Sequence, residues 1–326
     1  MKTKIVYVLV SNVNDCYLEQ ALVSIYSLRL YNPNAEVLLV IDKDTEKTLK
    51  EGNRKQILRY ITDIIVVHVP SQYSNMQKSR YIKTSLRKYV NGDFLFIDTD
   101  TIITAELNEI DNISADLASV PDCHLIIKFN WMKKSIRNWA SKFDWHFSED
   151  SYYFNSGVLL VKDTDLATQL FEHWHAVWKK FAAQGINYDQ PSLAKANELV
   201  GLKINKLDDI WNCQINANGL PYLKNAKVIH YFASAIGGGK YQPYKFMDKD
   251  FFIRIKSCDE LGKEIVELIK NAKYAFNPFC SIIGYDDAKF LYSRAYWLYK
   301  QHPLAYKIVD IYSRIILLLS HLKLKK

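Results

Sequence analysis

Over its first hundred residues the chain alternates short, wholly apolar runs with segments of helical period, and this alternation narrows the folds open to it. Ile5–Val10 reads as a buried strand. Tyr17–Tyr31 follows as a helix with Leu18, Leu22, Ile25 and Leu28 on one face, and Asn32-Pro33-Asn34 stops it. Glu36–Ile41 is a second strand, Thr45–Tyr60 a second helix, and Asp63–Val69 a third strand closed by Pro70. Lys78–Tyr89 is helical and Asp93–Ile97 a fourth strand. The pattern predicts an α/β fold, a mostly parallel, Rossmann-like sheet flanked on both faces by helices. Ligands of such sheets bind beyond the carboxyl ends of the strands.

Later elements are less regular. Ala115–Val120 and Tyr153–Lys162 read as strands, Asp165–Ala182 and Tyr188–Glu198 as helices, and Val228–Tyr231 as a short strand. Helical patterns dominate beyond residue 250, which divides the chain into a sheet-bearing domain, 1–250, and a helical region, 251–326. Cys16, Cys123, Cys213, Cys258 and Cys280 are odd in number and show no C-x-x-C spacing, so free thiols in a reducing compartment are expected. The six apolar residues Ile5–Val10 are too few for a signal-peptide core, and no stretch reaches the ~18 to 20 apolar residues of a membrane span. A cytoplasmic protein is the expectation.

Charge is concentrated at one end. From Lys289 onward eight basic residues face Asp310 alone, a net +7 of the chain's +8. Tyr292, Tyr296, Trp297, Tyr299, Tyr306 and Tyr312 are interleaved with them, and Ile308–Leu319 adds an apolar stripe. This is the composition of an interfacial helix, with rings at headgroup level and cations toward anionic lipid. An ordinary docking helix with a solvated basic face is the alternative. The body lacks a basic face and any recognition motif, which argues against nucleic-acid binding.

The sharpest motif is Phe94-Leu95-Phe96-Ile97-Asp98-Thr99-Asp100. Two carboxylates one residue apart at the end of a buried strand repel unless a cation lies between them or one stays protonated. Hard divalent ions prefer such oxygen-rich settings and are shared with substrate phosphates. The bland alternative is a strand end whose carboxylates face solvent or cap a turn.

Other landmarks follow in order: Ser79-Arg80 before the acidic pair, then Asn155-Ser156-Gly157-Val158, Asp189-Gln190 and His230-Tyr231. Together they resemble glycosyltransferase family 8, which includes bacterial lipopolysaccharide α-galactosyltransferases and glycogenin. The resemblance covers residues 1 to 240. It implies a GT-A fold and a retaining transfer of a hexose from a nucleotide-diphosphate sugar to a glycan or glycolipid, in lipopolysaccharide or surface polysaccharide synthesis. It implies that Asp98, Asp100 and His230 bind Mn²⁺ or Mg²⁺, and histidine favours manganese. Thr99 falls within the same donor-binding turn. Arg80 would contact donor phosphate or sugar hydroxyls, Asn155 and Asp189 would bond sugar hydroxyls, and Gln190 would lie beside the anomeric carbon. Asp122 is a further candidate for the donor sugar. Membrane attachment through a basic, aromatic C-terminus, at the inner face of the cell membrane, also fits the resemblance.

Two departures stand out. The family's first strand usually ends in an acidic residue that reads uracil, whereas here Ser11 and Asn12 are left to bond the base. Instead of a Lys-Pro-Trp after the histidine, the chain has Gly237-Gly238-Gly239-Lys240, where the backbone amides of the three glycines and the cation of Lys240 would hold the diphosphate, the alternative being a flexible loop with an incidental lysine. Two rival readings remain. Asp98-Thr99-Asp100-Thr101 also fits the D-x-D-x-T motif of a haloacid-dehalogenase phosphatase, although that motif normally ends the first strand. A degenerate transferase that only binds sugar is the other.

Overall fold

The strands at the centre of the molecule are apolar on both faces, and this places them inside a covered sheet. Lys4–Leu9 (β1) buries every residue after Lys4, and Val37–Asp42 (β2) buries all of its own. The structure is a computed structural model that describes residues 1–232, 242–277, 291 and 293–323. Asp63–Val67 (β3) and Phe94–Ile97 (β4) complete a parallel set in the order β3-β2-β1-β4. Leu117–Ile126 (β6) and Tyr152–Val161 (β7) extend it beyond β4, where β7 runs antiparallel to both neighbours. Asn205–Lys206 (β8) forms the far edge. A second, three-stranded sheet joins Thr101–Ile103 (β5), Val228–His230 (β10) and Cys213–Gln214 (β9), with β10 in the middle.

Side chains of β1 alternate between two cores, as the two-residue strand period requires. Ile5, Tyr7 and Leu9 join helix Tyr17–Tyr31 (α1), which packs Leu18, Leu22 and Ile25 against them. Val6, Val8 and Val10 join Leu170, Phe171 and Trp174 of Asp165–Ala182 (α5) on the other face. Burying a side chain the size of Leu or Phe stabilises the fold by about 1.5–3 kcal/mol. Trp174 is fully buried and its Nε1 donates to the Asp189 carbonyl at 2.8 Å, so one side chain joins this core to the start of Asp189–Leu199 (α6).

Two expected helices are shorter than their apolar pattern. The segment after β2 forms Lys43–Leu49 (α2), capped by Asp42 on the Thr45 amide, and then a 3₁₀ turn over Gly52–Arg59. Glu51 turns to an extended backbone, φ −86° and ψ 134°, and this separates the α-helix from the 3₁₀ turn. The helix before β4 is Asn75–Thr84 (α3), followed by a 3₁₀ turn over Leu86–Lys88. Lys133–Phe143 (α4) lies between β6 and β7.

The chain divides into two compact units, Met1–Pro278 and Phe279–Lys326. Helices Lys249–Lys256 (α7) and Lys263–Lys270 (α8) belong to the first, because Phe251, Phe252, Ile255 and Ile269 are buried in the same core as Ile5. The second contains Arg294–Gln301 (α9), capped by Ser293, and Pro303–Lys323 (α10). Along α10, Ile308, Ile311, Tyr312, Ile315, Ile316 and Leu318 are exposed. Among the described residues no helix is long and apolar enough to cross a membrane.

Candidate active site

The cleft lies at the carboxyl ends of β1 and β4, where the topology of the sheet changes. It encloses about 320 Å³, lined by residues of β1, α1, α3, the turn after β4, β7, α6 and β10. The register of the two sheets builds it. Ile97 pairs with Val158, and the Asp98 amide then donates to the Gly157 carbonyl at 2.7 Å, fastening the acidic turn to β7. Thr101 pairs with His230 across β5 and β10, which brings the histidine back over that turn. Gly157 has no alternative at the crossing. A Cβ there would stand 2.4 Å from His230 Cε1 and 2.9 Å from Asp98 Oδ2.

Asp98, Asp100 and His230 converge. One ligand atom from each lies within 4.8 Å of the others, and His230 Nε2 is 3.2 Å from Asp100 Oδ1. Two carboxylates and an imidazole at this spacing suit a divalent cation, and the mixed oxygen and nitrogen set suits manganese better than magnesium.

Facing them is a cationic wall on α3. A capping box fixes where this helix begins: the Ser74 side chain accepts from the Gln77 amide, and the Gln77 side chain accepts from the Ser74 amide. Arg80 and Lys83 then share one face, three residues apart. Lys83 is buried, with Nζ 3.1 Å from Asp98 Oδ1, 2.9 Å from Asp189 Oδ2 and 3.2 Å from Ser156 Oγ. Arg80 Nε lies 3.1 Å from Asp189 Oδ1. Burial works to raise the Asp189 carboxyl, but Arg80 and Lys83 outweigh it and hold the group well below the usual carboxylate range. Asp189 in turn raises the Arg80 guanidinium against its own desolvation. Ser156 Oγ also donates to Asp189 Oδ2 at 3.0 Å.

The cleft gathers Arg80, Asp98, Thr99, Asp100, Asn155, Asp189, Gln190 and His230 along its walls. Asp189 is the first residue of α6, and Tyr188 occupies the cap position. Asp122 stands behind the wall, accepting from Asn155 Nδ2 at 3.1 Å. Ser11 and Asn12 lie outside the lining. The Ser11 hydroxyl donates to Asp15 at 2.6 Å and accepts from Arg54 at 3.2 Å, while the Asn12 side chain accepts from the Asn14 amide. Gly238 and Lys240 lie outside the described residues. Lys83, Tyr17 and Gln20 also line the cleft, although the sequence had not pointed to them. Of these, only Lys83 left a trace, one helical turn beyond Arg80.

An open α/β sheet with a paired-acid turn at its switch point, a histidine folded over it and a cationic helix opposite defines a glycosyltransferase of the GT-A type. The description Glycosyl transferase family 8 matches residues 8–240. The chain belongs to this family and is a glycosyltransferase. None of the curated proteins matches. Among solved structures, the bifunctional glycosyltransferase WbbM is 18% identical with a TM-score of 0.52, over 81% of this chain and 51% of WbbM. The present chain therefore spans about half of that protein's length. The galactosyltransferase LgtC, solved with donor and acceptor sugar analogs, is 17% identical with a TM-score of 0.51, over 81% of this chain and 99% of LgtC. At these identities the likeness speaks for the fold. The phosphatase reading falls, because the acidic pair follows the fourth strand and the family match spans the whole cleft.

Proposed function

We propose that the enzyme transfers a hexose from a UDP-linked donor to a glycan or glycolipid, with a divalent ion, manganese before magnesium, held by Asp98, Asp100 and His230. The observation that carries this reading is the convergence of those three side chains opposite Arg80 and Lys83. Such an ion, when bound, neutralises the diphosphate and stabilises it as it departs. Lys83 and Arg80 add fixed positive charge on the same side of the cleft, where the leaving group's charge grows. Tyr17, exposed on the cleft's rim, offers a ring face to the base. Asp189, held ionised by the two cations, accepts hydrogen bonds from sugar hydroxyls, and Asn155 orients the same ring. Gln190 lies at the N-terminus of α6, where its amide stabilises charge developing at the anomeric carbon. The bond from that carbon to the diphosphate breaks, and the acceptor oxygen replaces it on the same face while its proton passes to the departing phosphate oxygen, so configuration is retained.

The acceptor belongs to lipopolysaccharide or another surface polysaccharide, and the enzyme works at the cytoplasmic face of the cell membrane. The exposed apolar residues of α10 and the basic charge around them support this placement.

A panel of nucleotide sugars with manganese tests the reading, with thermal shift and donor hydrolysis as readouts. A UDP-hexose should raise Tm and be hydrolysed slowly, and proton NMR of the first-formed product should show the donor's own anomeric configuration. An inverted product, or hydrolysis of no nucleotide sugar, overturns it.

A further inference from the structure

We infer that Asn212 sets the tautomer of His230, so that a hydrogen-bond chain starting at the sugar side of the cleft prepares the histidine for a cation. The inference rests on the metal-assisted reading above only for its purpose, since the chain of bonds stands on its own geometry. Asn212 is fully buried in the 3₁₀ turn that precedes β9.

The argument turns on which groups can only donate or only accept. The Gly157 amide lies 2.9 Å from Asn155 Oδ1, and a backbone N–H only donates. The Asn155 oxygen must therefore face Gly157, and Asn155 Nδ2 faces the Asp122 carboxyl at 3.1 Å, where an acceptor waits. The same Asn155 oxygen lies 2.9 Å from Asn212, which must present its Nδ2. This leaves Asn212 Oδ1 toward His230 Nδ1 at 3.0 Å. An amide oxygen only accepts, so Nδ1 carries the proton. Of the two neutral forms the chain thus selects Nδ1–H, and Nε2, 3.2 Å from Asp100 Oδ1, is the nitrogen that gives up its proton to take a cation. Free histidine favours the opposite form, with the proton on Nε2, and the chain reverses that preference. Outer partners of this kind orient metal-binding histidines generally. Here the partner is an amide, and its second bond reaches Asn155, so the sugar and cation ends of the cleft share one orientation.

Nitrogen-15 NMR of the full chain with labelled histidine decides the point. The spectrum is taken at several pH values, and the His230 signals are identified by their loss in His230→Gln. A proton on Nδ1 is expected, and a form whose only proton is on Nε2 overturns the inference. In Asn212→Leu the Nε2–H form should return. Manganese titrations with UDP, followed by the EPR signal of the free ion, give a second reading. Asn212→Leu should weaken binding about 10–100-fold. Asn212→Asp keeps an acceptor for Nδ1–H and should bind manganese like the parent, but it turns an oxygen toward Asn155 and should raise the donor KM. Equal loss of manganese in both variants overturns the inference. If the variants do not fold, the parent spectrum still decides. A parent chain that shows Nδ1–H but binds no manganese supports the tautomer and removes the metal-assisted reading.

Discussion

The amide of Asp98 donates to the carbonyl of Gly157 at 2.7 Å, so the acidic turn and β7 are one backbone unit at the floor of the cleft. Neither strand can shift without carrying the other. A side chain added at Gly157 meets a rigid buried ring rather than a flexible end. Gly157→Ala should therefore cost about 1–3 kcal/mol of stability. Transfer should fall far more than stability, because His230 and Asp98 are the groups displaced. Denaturant unfolding beside transferase kinetics checks this, and near-normal turnover would contradict the geometry.

Asp98→Asn and Asp100→Asn each remove a charge while keeping the shape of the side chain. Transfer should drop by at least ~100-fold in either variant, with the fold intact by circular dichroism. Chelation with EDTA should silence the parent enzyme and manganese should restore it. Activity that survives thorough chelation would remove the metal assignment.

Lys83 neutralises two carboxylates from within the wall, at 3.1 Å from Asp98 and 2.9 Å from Asp189. Lys83→Met leaves both without that ammonium. Breaking such a buried pair costs about 3–5 kcal/mol, and transfer should be lost together with the fixed charge facing the diphosphate. A variant that keeps parental stability would show that the lysine bears little on either carboxylate.

His175 supplies the acid sensitivity of the α5 core. It is buried, its Nδ1 lies 2.9 Å from Thr84 Oγ1, and desolvation first, then Lys179 and Lys88, lower its pKa from 6.5 to about 4. The unfolded chain protonates this ring below 6.5 while the folded chain does not until near 4, so unfolding binds protons in that window. Stability is complete above 6.5 and falls as the pH drops toward 4, by up to about 3 kcal/mol. His175→Gln should flatten that slope, as denaturant midpoints at pH 7 and pH 5 would show. An unchanged slope would place the sensitivity elsewhere.

The second compact unit tests the membrane proposal. A chain ending at Pro278 keeps the cleft and its core and should still hydrolyse donor in solution. It should lose binding to vesicles that contain anionic lipid. Binding of the full chain should weaken with salt, since screening limits charge to ~8 Å at physiological ionic strength. It should not vanish, because the apolar residues of α10 insert as well. Equal vesicle binding by both chains would end the interfacial reading.

Much of this was legible in the residues. Apolar runs located β1, β2 and β4 to within a residue or so, since strands buried on both faces tolerate little else. The landmarks at Asp98, Asn155, Asp189 and His230 do meet in one cleft. What escaped depended on partners distant in sequence. Lys83 reads as a solvated helix lysine until Asp98 and Asp189 are placed beside it, and Asn212 lies in a 3₁₀ turn that has no period to read. Ser11 looked available beyond β1, yet Asp15 and Arg54 occupy its hydroxyl. The antiparallel course of β7 was equally hidden, because composition carries no strand direction.

The order of these parts along the chain has a consequence for biosynthesis. Lys83 precedes Asp98 and Asp100, whereas His230 arrives only with the last strand of the second sheet. A ribosome that has translated as far as α6 has made both aspartates, and the lysine that pairs with Asp98, but not yet His230. The nascent chain carries a countercharge for Asp98 through that interval, and His230 joins the two aspartates only once β10 has been made.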